Sequence, residues 1–179
     1  MIKLKKLTEE KTQRYYWIGL IVFSLALEAS ALFYQYVLDY LPCVLCIHVR
    51  VYLLGLILIS ILALAFNKNL IGRLLAHLLS LGIYIGLAER SYQLLGTERG
   101  FVFGECNMEL GLPSWLALDQ WLPSVFQVHT ACGYTPELLF GITMAEALML
   151  LSSVLVIAGF TMLLSMIYKT FLSRPNTHD

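Results

Sequence analysis

The chain has 179 residues, of which 59% are apolar and only 13% charged, and its mean hydropathy is +0.74. Soluble domains carry about 25% charged residues, so a water-solvated globule, a disordered chain and a coiled coil are excluded and lipid is the expected solvent. The Lys plus Arg count of 12 equals the Asp plus Glu count of 12, which leaves no net field for a polyanion and excludes a nucleic-acid module.

Residues 1–14 read as a basic N-terminal segment, and the first apolar run covers about 15–36. Its basic front and Ala29-Ser30-Ala31 resemble a signal peptide with a cleavage site. The run continues through Leu32, Phe33 and Val37 and is too long for a signal h-region, so a retained membrane helix is expected. A short link containing Asp39 and Pro42 leads to a second run at about 44–66. Asn67-Lys68-Asn69 then makes a tight turn into a third run at about 70–95, an antiparallel neighbour of the second. A segment of about 96–141 separates it from the fourth run at about 142–168, and 169–179 form a tail. Roughly 20 residues at about 1.5 Å each cross a hydrocarbon core, and every run reaches that length. Lipid-exposed backbone must satisfy its own hydrogen bonds, and no period-2 alternation suggests a barrel. The expected fold is therefore an all-α integral membrane protein, a four-transmembrane-helix bundle with a long outward loop.

Lys3, Lys5, Lys6, Lys11, Arg14, Lys68, Arg73, Lys169 and Arg174 fall on one side, and Arg50, Arg90 and Arg99 on the other. That asymmetry places both termini in the cytoplasm and the 96–141 loop outside. A loop of that length without a span of its own is usually functional or disordered. Within it, Trp115, Leu118, Leu122, Val125 and Phe126 recur at helical spacing, and Pro123 interrupts them. The expected element is a short amphipathic helix that bends or ends at Pro123 and lies in the membrane interface, with Trp115 and Trp121 at headgroup depth.

All four cysteines, Cys43, Cys46, Cys106 and Cys132, fall on the outward side. An oxidising compartment allows disulfides, and four cysteines allow three pairings, of which the local one is the natural first choice. Cys43-Val44-Leu45-Cys46 follows Pro42 where the second span begins. Proline suits a first helical turn, and the N-terminal N–H groups and dipole favour a thiolate. So small a closed loop removes little chain entropy, which makes this pair a poor staple and a suitable exchange dithiol. A loop of about 27 residues between Cys106 and Cys132 would be worth roughly 3.5 kcal/mol as a static bond, so that pair also has a purely structural reading. Zinc is disfavoured, because only one cysteine pair is closely spaced. Cys43, Cys46 and Arg50 lie at i, i+3 and i+7 on one helix face. A guanidinium inside an apolar span is costly; it either snorkels to headgroups or favours a thiolate and stabilises charge on a bound electron acceptor.

Pro42-Cys43-Val44-Leu45-Cys46 with Arg50 four residues on resembles the signature of the disulfide bond formation protein B (DsbB) family. The likeness extends through Leu25-Ala26-Leu27-Glu28, Cys106, and the stretch from Pro113 to Phe126 before Cys132. It implies a bacterial inner-membrane thiol:quinone oxidoreductase. Such an enzyme reoxidises a periplasmic DsbA-like oxidase of thioredoxin fold and passes two electrons to membrane quinone, ubiquinone or menaquinone. Carried over by motif, Cys106 would form the mixed disulfide with the partner, and the freed Cys132 would attack Cys43. Cys46 would leave as a thiolate and donate towards quinone, with Arg50 supporting the charge, and closure of Cys106 with Cys132 would release the oxidised partner. Phe33 and Tyr36 are candidate linings for the headgroup site. Some family members carry a histidine shortly before the third cysteine; residues 97–105 hold none, so Arg50 would act without it.

Glu28, inside span one, is either functional or paired with another helix. His48 points off the Cys46–Arg50 face and is expected at the interface. His77 is expected to bond within the bundle, and His129 to be a solvated loop residue. A vitamin-K-epoxide-reductase-like enzyme is disfavoured, because its CxxC lies in the last span and the fourth run here has no cysteine. A scaffold stapled by two disulfides would leave Arg50 unexplained.

Overall fold

The structure, a computed structural model, describes residues 2–66, 69–103, 109–133, 135–138 and 141–172. Four long helices dominate it: α1 (Ile2–Tyr36), α2 (Val44–Phe66), α3 (Leu70–Arg99) and, after the loop, α6 (Met144–Leu172). Each contains a stretch long and apolar enough to cross a membrane, at Lys11–Tyr36, Val44–Phe66, Leu70–Arg99 and Met144–Tyr168. The chain is a multi-pass, four-helix membrane bundle. Among the described residues, extended pairing is limited to two isolated bridges. α1 starts well before residue 15, because the polar segment ahead of the apolar run is rich in Lys, Glu and Gln, which are good helix formers. α3 likewise runs past residue 95 to Arg99, where Gly100 at φ 76° ends it and the Phe101 N–H returns to the Gly96 carbonyl at 2.9 Å.

The helices pack in sequence, α1 on α2, α2 on α3 and α3 on α6. With little hydrophobic drive between helices in lipid, close backbone approach and satisfied polar groups hold them. A Cβ on Gly159 of α6 would lie 2.7 Å from the Tyr84 ring of α3, and one on Gly86 of α3 would lie 2.6 Å from the Tyr52 ring of α2. Buried hydroxyls bond backward along their own helices: Ser60 to the Leu56 carbonyl at 2.7 Å, and Ser80 to Ala76 and Ser91 to Leu87 at 2.8 Å. Tyr16 and Tyr84 join α1 to α3 through their hydroxyls, 3.1 Å apart. His77 packs on Tyr16 and Trp17 with ring centroids 5.8 and 4.9 Å away, an aromatic contact inside the bundle.

The loop between α3 and α6 carries a 3-10 turn (Ser114–Leu116) and two single-turn helices, α4 (Leu118–Trp121) and α5 (Pro123–Phe126). The break falls at Leu122, and Pro123 opens a new turn at its N1 position. Trp115 and Trp121 are exposed while Phe126 is buried, so one side of this segment packs on the bundle and the other carries the large rings. Before α6, Leu138 N–H donates to the Ile142 carbonyl at 2.9 Å. Thr143 and Glu146 then form a reciprocal capping box, with bonds of 3.1 and 3.3 Å. Glu146 also pairs with Arg99, and Glu98 accepts from Thr135 at 2.8 Å and Thr143 at 3.2 Å, which fastens this part of the loop to α3.

The Gly159–Tyr84 approach is testable. Gly159→Ala is expected to destabilise the bundle by about 1–3 kcal/mol through overpacking. Gly19→Ala, which has nothing within 4 Å of the new Cβ, should leave it unchanged or slightly more stable. Thermal unfolding in detergent reads both.

Candidate active site

At the loop end of the bundle a small core gathers Cys43, Val44, Leu45 and Ile47 with Leu94 of α3, Ala145 of α6, and Leu110 and Phe126 of the loop. Cys46 and Cys132, both half-buried, pack against it. Cys43 immediately precedes α2 and acts as its cap. Its sulfur accepts the Cys46 N–H at 3.4 Å, and its carbonyl accepts the Ile47 N–H at 3.1 Å. The two sulfurs are free thiols 2.8 Å apart. The Cys46 thiol hydrogen bond holds the Cys43 thiol below its ordinary value, against the opposing effect of its burial at 2% exposure. Backbone N–H groups at the helix start act in the same direction.

The loop is bonded to this corner by its backbone. The His129 N–H donates to the Pro42 carbonyl at 3.1 Å, and Thr130 forms a parallel bridge with Cys43. Cys132, two residues on, is disulfide-bonded. Cys106, the remaining expected site residue, lies outside the described residues. His48 fixes a second point of the loop, its Nε2 lying 2.8 Å from the Leu110 carbonyl. The side chain of His129 is exposed.

Arg50 is 4% exposed and does not snorkel outwards. Its Nη1 donates to Gln35 Oε1 at 2.7 Å and to the Val125 carbonyl at 2.8 Å, and its Nη2 donates to the Ala31 carbonyl at 3.2 Å. One guanidinium thus ties α1, α2 and α5 together, while both sulfurs stay within its electrostatic reach. Gln35 Nε2 donates to the Ser124 carbonyl at 3.1 Å, and the Tyr36 hydroxyl donates to the same oxygen. Glu28, buried one turn below Ala31, interacts electrostatically with Arg50. Its Oε1 has no hydrogen-bond partner among the described residues, and neither does the buried Ser24 Oγ one turn further along α1.

A sequence model of the family described as disulfide bond formation protein DsbB matches residues 13–162. The chain belongs to the DsbB family. A disulfide bond formation protein B from Haemophilus influenzae strain 86-028NP is 32% identical over 175 residues, covering 95% of this chain and 96% of its own. Disulfide bond formation protein B 2 of Pseudomonas aeruginosa PAO1 is 34% identical over 134 residues, 74% of this chain and 79% of that one. The Photorhabdus laumondii protein B is 36% identical over 116 residues, 65% and 69% of the two chains. Membership gives this DsbB-family chain a disulfide-forming redox role.

Of the expected site residues, the structure brings Cys43, Cys46, Arg50 and the Cys132-bearing segment to one corner. Phe33 and Tyr36 are half-exposed, and Tyr36 serves as a bond to the loop. Gln35 was not foreseen. Its signal was present, because Glu28, Ala31 and Gln35 fall at i, i+3 and i+7 on the face of α1 that meets the arginine.

In reduced CxxC with the other disulfide intact, the first thiol titration of this DsbB-family protein should lie below about 8.5, the ordinary cysteine value. Cys46→Ala removes the bond that stabilises the Cys43 thiolate, so the Cys43 titration should move upward. Ultraviolet thiolate absorbance against pH reads the shift.

Proposed function

We propose that this DsbB-family protein is an inner-membrane thiol:quinone oxidoreductase, with its cysteines on the periplasmic side and both termini in the cytoplasm. It reoxidises a DsbA-type dithiol oxidase and passes two electrons to membrane quinone. The observation that carries this reading is the corner itself: Cys43 caps α2 with its sulfur 2.8 Å from that of Cys46, and the segment leading to Cys132 is hydrogen-bonded along it. A structural staple needs neither a thiol held as a helix cap nor a second cysteine segment bonded beside it.

The side chains at this corner also fit a quinone headgroup. A reducible dicarbonyl ring needs an electron-donating thiolate, a cation near its oxygens and a source of protons. Cys46 is half-buried at the helix start, Arg50 lies one turn on, and the Glu28 carboxyl lies below with a buried oxygen that has no partner among the described residues. When bound, the quinone accepts two electrons and two protons. Cys46 and Arg50 would hold it, and Glu28 would keep a proton within reach.

The protein's own residues supply the thiol chemistry. A partner thiolate attacks the Cys106 sulfur of a Cys106–Cys132 disulfide, and Cys132 leaves as a thiolate. Cys132 attacks the Cys43 sulfur of an oxidised CxxC, and Cys46 leaves as a thiolate carrying the electron pair. The second partner thiolate attacks the partner's own sulfur and frees Cys106, which then attacks Cys132 and frees Cys43. Two partner thiols become one disulfide, and two electrons with two protons leave with the acceptor. The lowered Cys43 thiol makes it a good leaving group whenever its bond to Cys132 is resolved.

The test is turnover of a reduced DsbA-type partner by detergent-purified protein with added quinone. Wild type should oxidise the partner in a quinone-dependent way, and Cys46→Ser should abolish it. Arg50→Ala should slow it by about tenfold or more, equivalent to about 1.4 kcal/mol or more of barrier. Turnover that survives Cys46→Ser would contradict the reading.

A further inference from the structure

The hydrogen bonds around α5 do more than close the fold. Three donors, Arg50 Nη1, Gln35 Nε2 and the Tyr36 hydroxyl, converge on the adjacent Ser124 and Val125 carbonyls at the end of that single turn. Such carbonyls have no partner within so short a helix. Gln35 is buried and has both halves of its amide engaged, the oxygen with Arg50 at 2.7 Å and the nitrogen with Ser124 at 3.1 Å. An amide is suited to that position because it accepts from a guanidinium and donates to a carbonyl at once; a carboxylate can only accept, and an apolar side chain can do neither.

Downstream of α5 the chain runs directly to the exchange corner. His129 bonds Pro42 and Thr130 bridges Cys43. On the far side of Cys132, Thr135 is held by Glu98 of α3 at 2.8 Å. Cys132 therefore sits on a short tether between two anchors, and the upstream anchor is continuous with α5. The His129 and Thr130 backbone bonds follow directly on α5; if they open with it, the next hydrogen-bonded attachment upstream among the described residues is Leu110, held by His48, and the tether to Cys132 lengthens from two residues to over twenty.

We propose that Gln35, with Tyr36, is a positioning residue for disulfide exchange: by fixing α5 on the ends of α1 and α2 it sets the effective concentration of Cys132 at Cys43. The inference rests on the reading that Cys132 exchanges with Cys43, and its test needs neither quinone nor partner. Full-length protein carrying Cys46→Ser and Cys106→Ser retains Cys43 and Cys132 as its two thiols. Equilibration with reduced and oxidised glutathione, followed by mass spectrometry of the Cys43–Cys132 disulfide, gives their effective molarity. The Cys43–Cys46 pair, measured likewise in a Cys106→Ser, Cys132→Ser background, reports any general loosening.

Adding Gln35→Ala should lower the Cys43–Cys132 effective molarity by about tenfold, the scale expected from a longer tether. Gln35→Glu keeps the acceptor for Arg50 but loses the donor to Ser124, and should lower it by a smaller factor. The Cys43–Cys46 value should stay within about twofold, since a four-residue loop closes independently of α5. If Gln35→Ala fails to fold, Tyr36→Phe, which removes one hydroxyl from a half-exposed ring, carries the same expectation in reduced size. An unchanged Cys43–Cys132 equilibrium, or an equal fall in both pairs, would overturn the proposal. A selective fall in a protein without quinone-dependent turnover would leave the positioning role standing and remove the proposed electron acceptor alone.

Discussion

A buried guanidinium in a membrane bundle has to find acceptors, and the loop end of this protein is arranged around how Arg50 finds them. Its bonds go to the Ala31 carbonyl and the Gln35 side chain of α1 and to the Val125 carbonyl of α5, so a residue of α2 takes its acceptors from the first helix and from the loop. In a low dielectric each unmade bond would cost about 1–3 kcal/mol, so the charge acts as a fastener. The same charge remains within electrostatic reach of Cys43, Cys46 and Glu28. In the proposed chemistry, structure and redox function would draw on one side chain: the bonds that hold α5 also hold the guanidinium in place beneath the thiols.

The CxxC motif sits where helix geometry does part of the chemical work. Cys43 supplies the cap of α2 through sulfur, and the Cys46 thiol and helix-start N–H groups lower its proton affinity. The loop then meets this cap with backbone bonds at Pro42 and Cys43 and with Phe126 buried in the same small core. A long loop anchored at both sides of Cys132 differs from a free tether, since the cysteine lies between attachments at Thr130 and Thr135. That restriction suits exchange with one particular sulfur.

Much of this was legible in the sequence. Run length and composition are enough to identify four helical spans, because lipid leaves backbone few alternatives. Pro42 before Cys43 marked the helix start, and the i, i+4 spacing of Cys46 and Arg50 put sulfur and charge on one face. The destination of the Arg50 side chain was not legible, because its partner Val125 lies 75 positions away and no local pattern encodes that contact. The same holds for the Thr130–Cys43 bridge. Gln35 was hidden for a different reason: a lone amide at the end of an apolar run looks like an ordinary boundary residue until the arginine opposite it is seen. The polar start of α1 was missed because hydropathy marks the lipid-crossing part of a helix and is blind to its continuation in good helix formers.

Hydrogen–deuterium exchange of the purified protein tests the docked loop most directly. The His129 N–H, bonded to Pro42, and the Phe126 and Gln127 N–H groups, bonded to the Leu122 and Pro123 carbonyls, should exchange far more slowly than exposed loop amides. Arg50→Ala should release that protection while the amides in the middle of α2 and α3 keep theirs. Amides at 126–129 that exchange in the wild type at the rate of an unstructured peptide would contradict that docking.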